Sequence, residues 1–186
     1  TLMRNTLMTT MCKVAVIGIS CAIMAVTPSC AKNRDASKTL QDTTEKTDKE
    51  KFNDLKLSNP DAGMVSIMDE VAKNKVTVVD VWASWCGPCM KAIGGLKSLY
   101  GEYKDKGLGV VGVSLDNDYR AWTETIRRME LEWTNVSDLK GWRSRIVEMY
   151  GIDAIPYVFV IAQDGTIIRK GYIPEEELRQ IVSESL

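Results

Sequence analysis

The sequence predicts an α/β domain over residues 52–186, a mixed β-sheet flanked by helices. Three observations predict it. The runs "VTVVDVW" (76–82) and "LGVVGVSLD" (108–116) are apolar and rich in valine, as strands buried on both faces are. A stretch with helical spacing separates them. Near the C-terminus "YVFVIAQDGTIIRKGYI" reads as two strands about an Asp164-Gly165 turn, and a last helix follows.

The elements follow in order. "FNDLKLSN" places Phe52, Leu55 and Leu57 in a short edge strand that Asn59-Pro60 ends. "MVSIMDEVAKN" has helical spacing at Ile67, Met68 and Val71. A helix is expected from about residue 86 to 106, with Ile93, Leu96, Leu99, Tyr100 and Tyr103 on its inner side. Residues 117–149 then give a helix over "YRAWTETIRRMEL", an extended piece near "WTNVS" and a helix reaching Tyr150. "PEEELRQIVSESL" opens the final helix, with Pro174 near its first position and acids in its first turn. Trp122, Trp133 and Trp142 in this region are expected in the core, where aromatic residues at such spacing usually sit; an exposed one would shape a partner surface. There is no internal repeat.

Composition narrows the chemistry. The 186 residues are 45% hydrophobic and 26% charged, values of a chain that buries a real core. A net charge of −1 leaves no basic field for nucleic acid or an anionic membrane. The chain has no histidine, which excludes Ser-His-Asp and Cys-His nucleophiles and histidine-ligated metals. Of five cysteines, Cys12, Cys21 and Cys30 lie in an N-terminal apolar region and only Cys86 and Cys89 in the body, unlike an even-numbered disulfide framework.

The N-terminus reads as an address. Val14 to Val26 carries no charge and follows Arg4 and Lys13, the form of a signal peptide's n- and h-regions. These thirteen residues fall short of the about 20 that span a bilayer core. Met3, Met8 and Met11 are all plausible starts. Cys30 follows the apolar run directly after the small Ser29, resembling a bacterial lipoprotein cleavage site, although Thr27 stands where leucine is usual. Ordinary cleavage after Ala31 is the alternative. The expected organisation is a signal peptide over 1–30 with Cys30 as lipidation site, a flexible polar tether over 31–51, and the folded domain over 52–186.

Cys86-Gly87-Pro88-Cys89 falls where a strand hands over to a helix. A helix N-terminus favours an anion, so the Cys86 thiolate is favoured there, and Pro88 suits a first helical turn. Cys89 lies one turn on and within reach, so the pair can cycle between dithiol and disulfide. A second pair of zinc ligands is missing from the body, so no metal is expected. Asp80 stands inside the first buried run. Covered on both faces it should have a raised pKa; the other reading is a strand-edge aspartate facing solvent.

"WASWCGPC", "YGIDAIP", "VVGVSLD" and "QDGTI" together resemble the thioredoxin superfamily, in particular the TlpA-like thiol-disulfide oxidoreductases, across roughly residues 52–186. The resemblance implies a thioredoxin-like sheet with a helical insertion before the cis-proline segment. It implies Cys86 as attacking thiol, Cys89 as resolving thiol, Asp80 as acceptor of the Cys89 proton and Pro156 as the cis-proline. Trp85, Gly87, Pro88 and Ile155 would then line the substrate site. No cofactor beyond the cysteine pair is implied. The partners implied are disulfides of bacterial envelope (periplasmic) proteins and a membrane thiol reductase of the DsbD kind as electron donor. The Gly-Pro dipeptide points to a reductase.

Two departures stand out. Ala92 and Gly94 replace the family's helix glutamate and proline, and Gly112 replaces the lysine that partners the buried acid in thioredoxin. Asp80 would therefore act alone, with a still higher pKa. The alternatives are an oxidase or isomerase using the same residues, a thiol peroxidase, and a binding module in which the cysteines only staple the site. Peroxidases of this fold place a threonine or serine where Ala83 stands and a proline where Val79 stands.

Overall fold

The computed structural model describes residues 49–186. Seven strands form one sheet: β1 (Lys56–Ser58), β2 (Met64–Ser66), β3 (Val76–Trp82), β4 (Leu108–Ser114), β5 (Thr134–Ser137), β6 (Tyr157–Ala162) and β7 (Ile167–Gly171). Their order across the sheet is β2-β1-β5-β4-β3-β6-β7. The helices are α1 (Ile67–Val71), α2 (Gly87–Tyr103), α3 (Tyr119–Met129), α4 (Arg145–Tyr150) and α5 (Glu175–Glu184). The signal peptide, Cys30 and most of the tether lie outside the described residues.

Every residue of β3 and β4 is buried, which is why both strands read as continuous apolar runs rather than alternating ones. They pair in parallel through the α2 crossover, and β4 pairs in parallel with β5 through α3. β6 runs antiparallel on the other side of β3. Asp80 therefore lies between Gly112 of β4 and Val158 of β6, on an inner strand of the sheet.

Side chains on the two faces of β3 alternate. Next to Val79 in the register is Phe159, which packs edge-on against Phe52 and Tyr150 at ring separations of 5.4 and 4.7 Å. The face that carries Asp80 is the face α2 covers; Ile93, Leu96 and Leu99 are buried there, and Tyr100 meets Trp133 edge-on at 5.6 Å. Trp122 and Trp133 are buried as the sequence predicts, whereas Trp142 is exposed.

The structure corrects the sequence in two places. Residues 64–66 are a strand hairpinned to β1, and the helix starts only at Ile67. The Asn59 carboxamide accepts from the backbone N–H of Asp61 and Gly63 and builds the turn, and Ser66 then caps α1 by accepting from Asp69. Three-residue strands leave too little periodicity to read. Secondly, the domain begins before Phe52: Ile167 N–H donates to the Glu50 carbonyl at 2.8 Å, and Lys51 bonds both Asp164 and Thr166 at 2.7 Å. Backbone pairing onto a hairpin needs no apolar side chain, so the polar composition of this segment hides it.

Candidate active site

β3 ends at Trp82 and the chain turns through Ala83–Cys86, with Cys86 N–H donating to the Ala83 carbonyl at 3.0 Å. Cys86 is then the N-cap of α2, and Pro88 sits in the first turn, where a missing N–H costs nothing. Cys86 and Cys89 form a disulfide with their Cα atoms 5.2 Å apart. The Cys89 N–H points at Cys86 Sγ from 3.2 Å. In the reduced protein this N–H and the seventeen-residue helix behind it favour a thiolate at Cys86. Cys86 is 6% exposed and Cys89 1%, so Cys86 is the more accessible of the two sulfurs.

The loop before β6 closes the other side. Its Ile155–Pro156 peptide bond is cis, and the Ile155 carbonyl oxygen lies 3.8 Å from Cys86 Sγ. The disulfide sulfur carries no proton, so this is a packing contact. It places the Ile155 backbone within one residue's reach of the reacting sulfur.

Asp80 is 3% exposed, and burial pushes its carboxyl up to about 7. It lines a cavity of about 310 Å³ between α2 and α5, together with Pro88, Ala92, Pro156, Tyr172 and Leu178. The cavity thus reaches residues on both sides of Cys89 and the cis-proline. Among the described residues no lysine forms an ion pair with Asp80, although Lys91 lines the same cavity. The place of a side chain at Gly112 is taken instead by Asn135 Oδ1 and the indole nitrogens of Trp82 and Trp133. These three atoms are buried and have no hydrogen-bond partner among the described residues.

The remaining expected site residues fall around the disulfide. Trp85 is 55% exposed beside Cys86. At Gly87 an added Cβ would meet nothing within 4 Å, so glycine there answers no steric demand of the fold. α2 runs unbroken past Gly94. No cluster of three metal-ligating residues occurs among the described residues.

Sequence reasoning missed a clamp behind the site. Asp116, 1% exposed, accepts from Ser84 N–H (3.1 Å), Ser84 Oγ (2.6 Å) and Ser114 Oγ (2.7 Å). It ties the turn that carries Cys86 to the end of β4. The signal was present, since an aspartate closing an apolar run poses the same question as Asp80. It also missed that Trp142 lies against Trp85, ring centroids 6.2 Å apart.

Fold and site together define a thioredoxin-like protein with a dithiol/disulfide pair at a helix N-terminus. The family model described as thioredoxin-like matches residues 74–167, and the chain belongs to that family. Among curated relatives it is similar to thiol-disulfide oxidoreductase ResA of Bacillus thuringiensis (28% identity over 60% of this chain and 64% of that one). ResA of Oceanobacillus iheyensis is 30% identical over 58% of this chain and 59% of that one. The match thus spans a little under two thirds of these relatives' length. Among solved structures, a thiol-disulfide oxidoreductase from Bacteroides fragilis superposes with a TM-score of 0.68 at 30% identity, over 74% of this chain and all of that one. A thiol:disulfide interchange protein from Bacteroides sp. gives 0.65 at 25% identity, over 73% and 88%.

Proposed function

We propose that the protein is a thiol-disulfide oxidoreductase that reduces disulfides of envelope proteins. The observation that carries this is the Cys86–Cys89 pair at the start of α2, packed against Ile155, with the buried Asp80 lining a cavity that Pro88 and Pro156 also line. The relatives' names support the reaction class; the Gly-Pro dipeptide supports the direction.

In the reduced protein the Cys86 thiolate attacks one sulfur of the client disulfide. A mixed disulfide forms and the first client thiolate leaves, taking a proton from water. The Cys89 thiol then gives its proton to the Asp80 carboxylate and attacks Cys86 Sγ. The Cys86–Cys89 disulfide closes and the second client thiolate leaves. The client gains two electrons and the protein loses two. Asp80 suits the middle step because a carboxyl titrating at about 7 accepts and returns a proton at neutral pH. Ile155, Pro156, Trp85, Gly87 and Pro88 form the surface on which an extended client segment lies.

The electrons return from a membrane thiol reductase. A lipid on Cys30 and the polar stretch after it hold the domain near that donor; the signal-peptide pattern of residues 14–30 supports this placement.

Cys89→Ser tests the mechanism. Mixed with a disulfide-containing protein it should accumulate a covalent complex through Cys86 that dithiothreitol releases. Cys86→Ser should form none. Equal trapping by both variants would contradict the assigned roles.

A further inference from the structure

The segment between β5 and α4 contributes no group to the exchange chemistry proposed above, yet it reaches Trp85, the residue before Cys86. Its 3-10 turn, Gly141–Arg143, puts Trp142 against Trp85, and both indoles are about half exposed. The turn is held firmly. Asn117, which follows the clamp residue Asp116, packs where a side chain at Gly141 would lie. Asp138 accepts from the backbone N–H of Arg145 at 3.0 Å, and Ser137 Oγ accepts from that of Leu139 at 3.0 Å.

The same turn carries charge of one sign. Residues 138–145, "DLKGWRSR", hold Lys140, Arg143 and Arg145 against Asp138 alone. All three cations are exposed, and none takes part in an ion pair among the described residues. The Asp138 carboxylate is spent on backbone N–H groups. Unpaired cations occur elsewhere on the described surface too, Lys56, Lys91, Arg120 and Arg127 among them, but none of these shares a turn with an exposed tryptophan. Large aromatic surface left open beside unpaired cations is the composition of a binding face, in which tryptophan and arginine dominate.

We infer that Trp142 with Trp85, rimmed by Lys140, Arg143 and Arg145, is a docking surface for an acidic segment of the client polypeptide next to its disulfide. An apolar side chain of that segment lies against the two indoles, and flanking carboxylates meet the three cations. The surface makes the protein choose among disulfides by their neighbours, and it rests on the exchange reaction proposed above.

The test compares three substrates of the reduced full-length protein. Two are synthetic peptide disulfides with phenylalanine near the cystine, one flanked by aspartate and glutamate, the other by lysine. The third is bis(2-hydroxyethyl) disulfide, small and neutral. The expected result, for single-turnover oxidation of the pre-reduced protein, is a second-order rate constant about tenfold higher for the acidic peptide than for the basic one, shrinking with added salt. Lys140→Glu/Arg143→Glu/Arg145→Glu should abolish or reverse that ratio. Trp142→Ala should lower both peptide rates roughly tenfold. Neither variant should change the rate with the small disulfide, which also shows that each is folded. Equal rates on the two peptides with a normal small-disulfide rate would overturn the docking surface and leave the exchange reaction standing. So would binding of the basic turn to phosphatidylglycerol vesicles without any peptide preference. Absence of oxidation by all three substrates would overturn the exchange reaction itself and this surface with it.

Discussion

Asp80→Asn offers a direct reading of the buried carboxyl. An unfolded aspartate titrates near 3.8, and burial moves Asp80 to about 7. Between those values the folded state holds a proton that the unfolded state has released. Stability therefore falls as pH rises through this window and is level above it. A shift of about 3 units at 1.36 kcal/mol each amounts to roughly 4 kcal/mol lost by pH 8. Asparagine has nearly the same shape and never ionises. The variant should match the wild type at about pH 4 and exceed it by roughly 4 kcal/mol at about pH 8. In Tm, a domain of this size should gain on the order of 10–15 °C. Urea unfolding of the oxidised proteins at both pH values measures the difference, with an unchanged m-value as the check that only stability has moved. Tyr150 and Asp164, also shifted from their ordinary values, are common to both proteins and cancel in that difference. A gain of equal size at pH 4 and pH 8, or a loss at pH 8, would refute the reasoning. The same variant should slow resolution of the mixed disulfide by roughly 100-fold at neutral pH, because Cys89 then lacks its proton acceptor.

Other residues make separate predictions. Asp116→Ala removes the acceptor of three hydrogen bonds behind Cys86. It should cost about 3 kcal/mol in urea unfolding, and an unchanged midpoint would mean the clamp is idle. Gly112→Ala drives a methyl group into Asn135, Trp82 and Trp133 in the core. It should destabilise by roughly 1–3 kcal/mol, read by thermal unfolding; a neutral result would show that the niche is loose. Gly87→Ala meets open space in a helix first turn. It should leave stability within about 0.5 kcal/mol of wild type in the same thermal unfolding measurement, and a larger loss would mean that glycine answers a backbone demand after all.

The parts legible in the sequence are those whose physics is local. β3 and β4 announced themselves because strands buried on both faces must be apolar throughout. The Cys86–Cys89 pair was legible because its spacing bridges one helical turn. Asp80 was legible because a charge inside such a run is costly enough to need a reason. What stayed hidden depends on contacts far apart in sequence. The β1–β2 hairpin is too short to show a period, and Glu50 and Lys51 join the domain through main-chain bonds to residues 164–167. Trp142 could be told from Trp122 and Trp133 only once the chain had folded: the latter two face the core, while the turn at Gly141 carries Trp142 out to Trp85. The lysine missing at Gly112 was visible in the sequence, but its replacement by an amide and two indoles drawn from the end of β3 and the start of β5 was not.

The central claim is that Cys86 and Cys89 are a reducing dithiol. An equilibrium titration of the full-length protein in defined thiol buffers, read by differential alkylation and mass spectrometry of the peptide containing both cysteines, tests it most directly. The account predicts a reversible two-electron transition, tenfold in ratio for about 30 mV, with a midpoint near that of thioredoxin at about −270 mV. A midpoint near the oxidising end, about −120 mV, would make the protein a disulfide donor and reverse the proposed direction. A pair that never opens across this range would be a structural staple, and the enzymatic account would fall.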